Sequence, residues 1–179
     1  MAKRTVLIMG DKRLLQSAEA VTRFDTSALH ALVRDMRDTM RAHEGVGLAA
    51  PQIGVGWRVV VFEVDNSSDP ELEAVPFTVL INPEMTPLSN EMDEDWEGCL
   101  SLPDLNGLVP RYTAIRYRGH DQFGNIIERR ASGFHARVVQ HELDHLDGIL
   151  YPRRISDLTH FGFTDALFDE SSSEIDAAE

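Results

Sequence analysis

A chain of 179 residues falls in the size range of one domain, and 42% hydrophobic with 26% charged residues is the balance of a globular protein, not of a disordered chain or a membrane protein. Seventeen basic against thirty acidic side chains leave a formal net charge of -13, a surface that repels phosphate backbones and so excludes nucleic acid as a direct, whole-face partner. The single cysteine, Cys99, can form no internal disulfide, which favours a reducing, cytosolic-type compartment.

At the start of the chain, Val6 to Met9 is too short an apolar run for a signal-peptide core, and the chain is read as beginning at its mature end. The basic residues Lys3, Arg4, Lys12, Arg13 and Arg23 leave an organelle transit peptide open, although Asp11 and Glu19 interrupt that pattern. No later run approaches the roughly 20 apolar residues of a membrane span. Thr26 or Ser27 is placed to cap a helix whose apolar residues Leu29, Leu32, Val33, Met36 and Met40 form one stripe, ending near His43. Arg58 to Val64 and Phe77 to Ile81 read as buried strands, with the polar loop DNSSDPELEAVP between them. The acidic stretch Glu91 to Glu97 reads as a solvated loop, Glu97 excepted. Ala114 to Gly119 and Ile126 to Arg130 flank a hairpin connection at His120 to Asn125. Ser132 and Gly133 then open a second helix, with Phe134, Val138, Val139, Leu143 and Leu146 as its apolar set and Gly148 as its stop. Leu158 to Phe168 reads as a short third helix.

The expected fold is α+β, a single compact domain with antiparallel strands around the central helix that carries HExxH. Its catalytic body spans residues 1–168, and residues 169–179 form an acidic, disordered tail. Six acids, Asp165, Asp169, Glu170, Glu174, Asp176 and Glu179, fall in the last fifteen residues, so the rest of the chain carries only -7.

The chemistry begins at His141-Glu142-Leu143-Asp144-His145, an HExxH sequence. Two imidazoles four residues apart share a helix face and can chelate one metal ion, while Glu142 lies beside the open position and can take a proton from metal-bound water. A catalytic metal site needs a third protein ligand. The longer pattern HExxHxxGxxH continues through Gly148, but Tyr151 stands where its third histidine would fall. A metallopeptidase of the kind that takes a glutamate from a later helix would have to use Glu170 or Glu174, both in the acidic tail. Upstream, EGCLSLP offers Cys99, which a metal would hold as thiolate and which completes a set of three.

A third segment, GVGLAAPQIG from Gly45 to Gly54, first looks like a GxGxxA dinucleotide fingerprint. That pattern needs a strand before the glycines and a helix after them, whereas here a helix stands before them and Pro51 breaks the one required after. The segment reads instead as small-residue backbone that approaches something closely, with Gln52 its one polar side chain and a candidate donor to an oxyanion or carbonyl.

Together GVGLAAPQIG, EGCLSLP and QHELDHLDG, in this order, resemble peptide deformylase, and the resemblance runs from about Arg13 to Ile155. It implies hydrolytic removal of the formyl group from the N-terminal formylmethionine of newly made polypeptides. It implies Cys99, His141 and His145 as metal ligands, Glu142 as general base and acid, and Gln52 with the backbone N–H of Leu100 as oxyanion donors. Gly47 would pair with the substrate backbone, Val46, Phe134 and Val138 would line the methionine pocket, and Arg111 would pair with Glu97 to brace the cysteine loop. The ion would be one divalent metal, Fe2+ foremost, with Zn2+, Ni2+ or Co2+ also accommodated by the same ligands. Partners would be N-formyl-methionyl nascent peptides, with transient ribosome proximity, no direct nucleic-acid binding and no membrane, in a bacterial-type cytoplasm or an organelle. The alternative is an HExxH metallopeptidase cleaving internal bonds. Arg137, where an apolar residue would fit the pocket rim, reads as a solvated helix arginine or a contact to the peptide's later residues. His30, His43, His120, His135 and His160 lie outside the motifs and are assigned ordinary surface or core roles.

Overall fold

Helix α1 (Ser27–Ala42) forms where its apolar spacing places it: Thr26 caps it by accepting from the Leu29 N–H at 3.2 Å, and Leu29, Leu32, Val33, Met36 and Met40 are all buried. The structure is a computed structural model that describes residues 3–65 and 73–169. Most of the polar stretch after Val64 and the chain beyond Asp169 lie outside the described residues, and with them all of the expected tail but Asp169, including Glu170 and Glu174.

Strands β1 (Gly47–Ala49), β2 (Val59–Val64), β3 (Val75–Pro87), β6 (Ala114–His120) and β7 (Ile126–Ser132) form a five-stranded antiparallel sheet in the order β1-β2-β3-β6-β7. Both faces are covered, which explains why the run VVVFEV is apolar without alternating. Val59 and Val61 pack with Leu29 and Met36 of α1, whereas Val60, Phe62 and Val64 pack with Val139, Leu143 and Leu146 of helix α2 (Gly133–Leu146). Strand β3 runs well past the expected Ile81. Asn82, with φ 50°, sits in the register shift where β3 turns to pair with β6, and its amide holds both the N–H and the C=O of Val21 at 2.9 Å. The β6–β7 connection is closed by Asp121, whose Oδ1 accepts from the N–H groups of Phe123 and Asn125.

A second sheet, in the order β4-β5-β8, is made by β4 (Met92–Cys99), β5 (Leu102–Tyr112) and β8 (Phe161–Phe163). The acidic stretch read as a solvated loop is therefore strand β4, in antiparallel register with β5 from Met92↔Tyr112 to Gly98↔Asn106. It escapes recognition because it is an edge strand with exposed Met92 to Asp95, and edge charge of this kind blocks further strand pairing. The expected third helix is split into a 3-10 turn (Leu158–His160), β8 and a single helical turn, α3 (Thr164–Leu167). No described helix is long and apolar enough to cross a membrane.

Helix α2 ends at Leu146 with Asp147 as its cap; Gly148, just beyond, has φ +71°, and a Cβ there would lie 2.6 Å from the backbone carbonyl group of Leu15. Gly148→Ala is expected to cost about 2–4 kcal/mol, from backbone overlap plus left-handed strain, measured by chemical denaturation.

Candidate metal centre

Three chain segments converge on one point. Helix α2 presents His141 and His145 one turn apart, with ring centroids 5.0 Å from each other, and the β4–β5 junction brings Cys99 to them. The Sγ of Cys99 lies 3.3 Å from Nε2 of His145, and the donor atoms of Cys99, His141 and His145 all lie within 4.8 Å of one another. Ligands at 2.0–2.3 Å around a tetrahedral ion stand about 3.5 Å apart, so one thiolate and two imidazoles fit a single divalent ion here. Nδ1 of His141 faces Oε2 of Glu97 at 2.8 Å; an ionised carboxylate only accepts, so the neutral ring carries its proton on Nδ1 and Nε2 is the atom that would take a metal. Tyr151, in place of a third histidine, stacks behind His141 at 6.1 Å between centroids and donates its hydroxyl to the Leu105 carbonyl.

Glu97 is the hub behind the ligands. It accepts from Nε and Nη2 of Arg111 at 2.8 and 2.9 Å, the expected pair, and from His141 and Nη1 of Arg137. Arg111 also donates to Asp144, which holds Arg154 through two further bonds, so a chain of charge runs from His141 to the surface. Burial alone would raise the Glu97 pKa, but the bonds from Arg111 and His141 outweigh it and hold the carboxyl well below its ordinary 4.5. A depressed carboxylate pKa stabilises the fold above about pH 4.5, and that contribution is lost as pH falls toward the folded value. Unfolding free energy is therefore expected to drop between about pH 5 and pH 3, and Glu97→Gln to flatten this slope, followed by denaturant titration at each pH.

Arg137 departs from its expected place. It is buried, not solvated, because its guanidinium meets Glu97 and the backbone carbonyls of Asp93, Asp95 and Val109. The sequence signal for this was only an arginine on an otherwise apolar helix face. Among the other histidines, His135 is a core residue paired with the Tyr117 hydroxyl at 3.2 Å, and His30 bonds Asp25.

In front of the donors opens a cavity of about 860 Å³ lined by Val46, Gly47, Gln52, Leu100, Phe134, Val138 and Glu142, with the N-terminal segment Lys3 to Ile8 forming part of its wall. That segment was not assigned from sequence. It ties the Gln52 and Cys99 loops together, with Leu7 N–H donating to the Gln52 carbonyl and Met9 N–H to the Ser101 carbonyl, both at 2.7 Å. The Gln52 side chain is fixed at both ends. Its Oε1 accepts from the Ala49 N–H at 2.8 Å, so Nε2 must face Ser101 Oγ at 3.2 Å and Cys99 Sγ at 3.5 Å. Gly47 has no room for a side chain: a Cβ there would overlap the carboxylate of Glu142. Glu142 is buried and its Oε2 has no hydrogen-bond partner among the described residues, and burial pushes its pKa up to about 7.

A thiol and two imidazoles converging beside a buried carboxylate oxygen that has no partner among the described residues, at the mouth of a cleft in an α+β domain, define a metal-dependent hydrolase. The comparisons with known proteins then narrow the class. The chain belongs to the polypeptide deformylase family, whose sequence profile matches residues 3–161. Peptide deformylase 1 of Nitrosomonas europaea is 61% identical over 166 residues, covering 92% of this chain and 94% of that protein. Among solved structures, a K2U-bound class I type b peptide deformylase from Acinetobacter baumannii is 35% identical with a TM-score of 0.82, covering 87% of this chain and 100% of that one. A second from the same organism, with Met-Ala-Ser bound, is 36% identical with a TM-score of 0.81, covering 86% of this chain and 99% of that one. The family assignment does not favour the metallopeptidase alternative.

Proposed function

We propose that in this enzyme Cys99, His141 and His145 hold the divalent ion, while Glu142, Gln52 and Leu100 carry the hydrolysis of the formyl group from N-formyl-methionyl peptides. The observation that carries this reading is Glu142, whose Oε2 is buried and has no partner among the described residues, beside three convergent metal donors. A bound ion supplies Lewis acidity and makes a nearby water easier to deprotonate.

The residues of the chain do the rest. Strand β1 is the edge of its sheet and lines the cavity, so the backbone around Gly47 can pair with an extended peptide as one more strand. Val46, Phe134 and Val138 receive the methionine side chain, which places the formyl carbon before Glu142. Glu142 accepts a proton from the attacking water as its oxygen bonds to the formyl carbon. One N–H of Gln52 Nε2, turned from its long 3.5 Å contact with Cys99 Sγ, and the backbone N–H of Leu100 serve the resulting oxyanion, each worth about 10² to 10³ in rate. Glu142 then passes the proton to the amine nitrogen, the C–N bond breaks, and formate leaves with a free α-amine on the peptide. The Met-Ala-Ser peptide bound in the Acinetobacter baumannii relative supports this product assignment.

The decisive experiment is formate release from a formyl-Met peptide by protein prepared anaerobically with Fe2+, against a Glu142→Ala control that binds the same metal. Release above the control supports the reading, and equal release overturns it. A thiolate in the donor set favours Fe2+ over harder-ligand metals and makes it oxidisable. The Fe2+ form is expected to lose activity in air while a Ni2+ form persists, and equal decay of the two would remove the support for iron. Acting on nascent chains places the enzyme transiently near the ribosome in a bacterial-type cytoplasm, reached by diffusion because its acidic surface disfavours RNA.

A further inference from the structure

Arg137 lies one helical turn before His141 on α2, and both side chains end on the same carboxylate, Arg137 on Oε1 of Glu97 at 3.0 Å and His141 on Oε2 at 2.8 Å. Arg111 occupies one further position on each oxygen. An ionised carboxylate has about four lone-pair sites, so Glu97 is saturated, and Arg137 fills the last of them. The rest of the Arg137 guanidinium is spent on strand backbone: Nη1 also reaches the Val109 carbonyl at 2.7 Å and the Asp95 carbonyl at 3.4 Å, and Nη2 reaches the Asp93 carbonyl at 2.9 Å. One side chain thus joins α2, which carries both histidines, to β4, which carries Cys99, and to β5. The side chain also lines the cavity beside Phe134 and Val138.

We propose that Arg137 is a positioning residue of the metal centre, fixing Glu97 and strand β4 so that the His141 ring and the Cys99 sulfur are held in register before any ion binds. Arg111 grips both oxygens of Glu97 along one edge and His141 holds Oε2, which leaves Oε1 free of any hold from the helix side. Arg137 approaches from the helix side and removes that freedom, and it sets the separation of helix from strand, which is the separation of imidazole from thiol. A lysine can reach Glu97 with one donor, but it lacks the fork that also takes up the strand carbonyls.

This rests on the reading of His141 as a ligand, and the test separates the two. Co2+ is titrated into the parent protein, Arg137→Met, Arg137→Lys and His141→Ala in competition with a chelator, with the visible d–d bands recorded. Val61→Ala, on the sheet face away from α2, serves as a control for lost stability alone. Arg137→Met is expected to bind Co2+ about 10- to 100-fold more weakly than the parent, with shifted d–d bands, and Arg137→Lys to recover part of that affinity. Val61→Ala should bind as the parent does at an equal or greater loss of melting temperature. Parental affinity and bands in Arg137→Met, or the same weakening in Val61→Ala, would overturn the positioning role. If Arg137→Met does not fold, Arg137→Lys decides alone, and unchanged affinity and bands there overturn the proposal. Unchanged Co2+ binding by His141→Ala would instead overturn the ligand reading.

Discussion

Replacing Glu142 by glutamine is expected to lower kcat for formate release by about 10² to 10⁴ while leaving bound metal at the parental level. The substitution keeps the shape of the side chain and removes its capacity to take a proton. Glu142 has been made ready for proton transfer by its surroundings: burial raises its pKa to about 7, and Oε2 has no partner among the described residues. An ion in the adjacent site would draw that value down again, toward a carboxylate ionised at neutral pH and still basic enough to accept a proton. None of the convergent donor atoms belongs to Glu142, so a loss of metal is not expected. The peptide backbone would meet β1 and the methionine side chain Val46, Phe134 and Val138, so KM should change little. The measurement pairs steady-state kinetics with metal content by elemental analysis. A glutamine variant within about tenfold of the parent would show that Glu142 is not the proton carrier. A variant that has lost its ion would show that the effect is structural.

How far the sequence shows all this depends on whether a residue's partners are near it in the chain. Helix α1 and its cap are legible because five apolar residues and one threonine encode them locally. The histidine pair is legible for the same reason, since one turn of helix suffices to place both rings on one face. Strand β4 is not, because Asp93, Glu94 and Asp95 have the composition of a solvated loop, and only pairing with β5 makes them a strand. β3 beyond Ile81 is hidden likewise, in that Asn82 and Pro83 look like a stop until Val21, distant in sequence, satisfies the Asn82 amide. Within the site, Gln52 is legible as an isolated polar group among small residues, but the Ala49 N–H that orients it is a fact of the turn. Arg137 is the largest miss. Its acceptors are a side chain 40 positions away and carbonyls on two strands, and a sequence reading of an arginine on a helix defaults to solvent.

Cys99→Ala is expected to abolish stoichiometric metal binding while the domain stays folded. Losing a group that only supports a ligand costs about 10- to 100-fold in affinity, so losing a direct ligand should cost more than about 100-fold. The fold has little at stake. Cys99 is only partly buried, at the margin of the cluster formed by Leu14, Leu102, Val109, Leu150 and Tyr151, and removing one sulfur should cost about 1 kcal/mol. Gln52 Nε2 gives up its 3.5 Å contact with sulfur but keeps Ser101 Oγ at 3.2 Å, so no buried amide is orphaned. His141 keeps its bond to Glu97, and the two imidazoles remain in place, a bidentate pair too weak to hold an ion against a chelator. Cys99→Asp, which restores an anionic donor with harder oxygen chemistry, should recover some affinity and shift preference away from soft-ligand metals. The readout is metal per protein after dialysis against a chelator, alongside a melting curve of each apo form. A metallopeptidase-type site completed by a glutamate from beyond Asp169 makes the opposite prediction, with metal retained in Cys99→Ala and lost on truncation of the tail. Retention of one ion per chain by the alanine variant would overturn the assignment of Cys99 as a ligand.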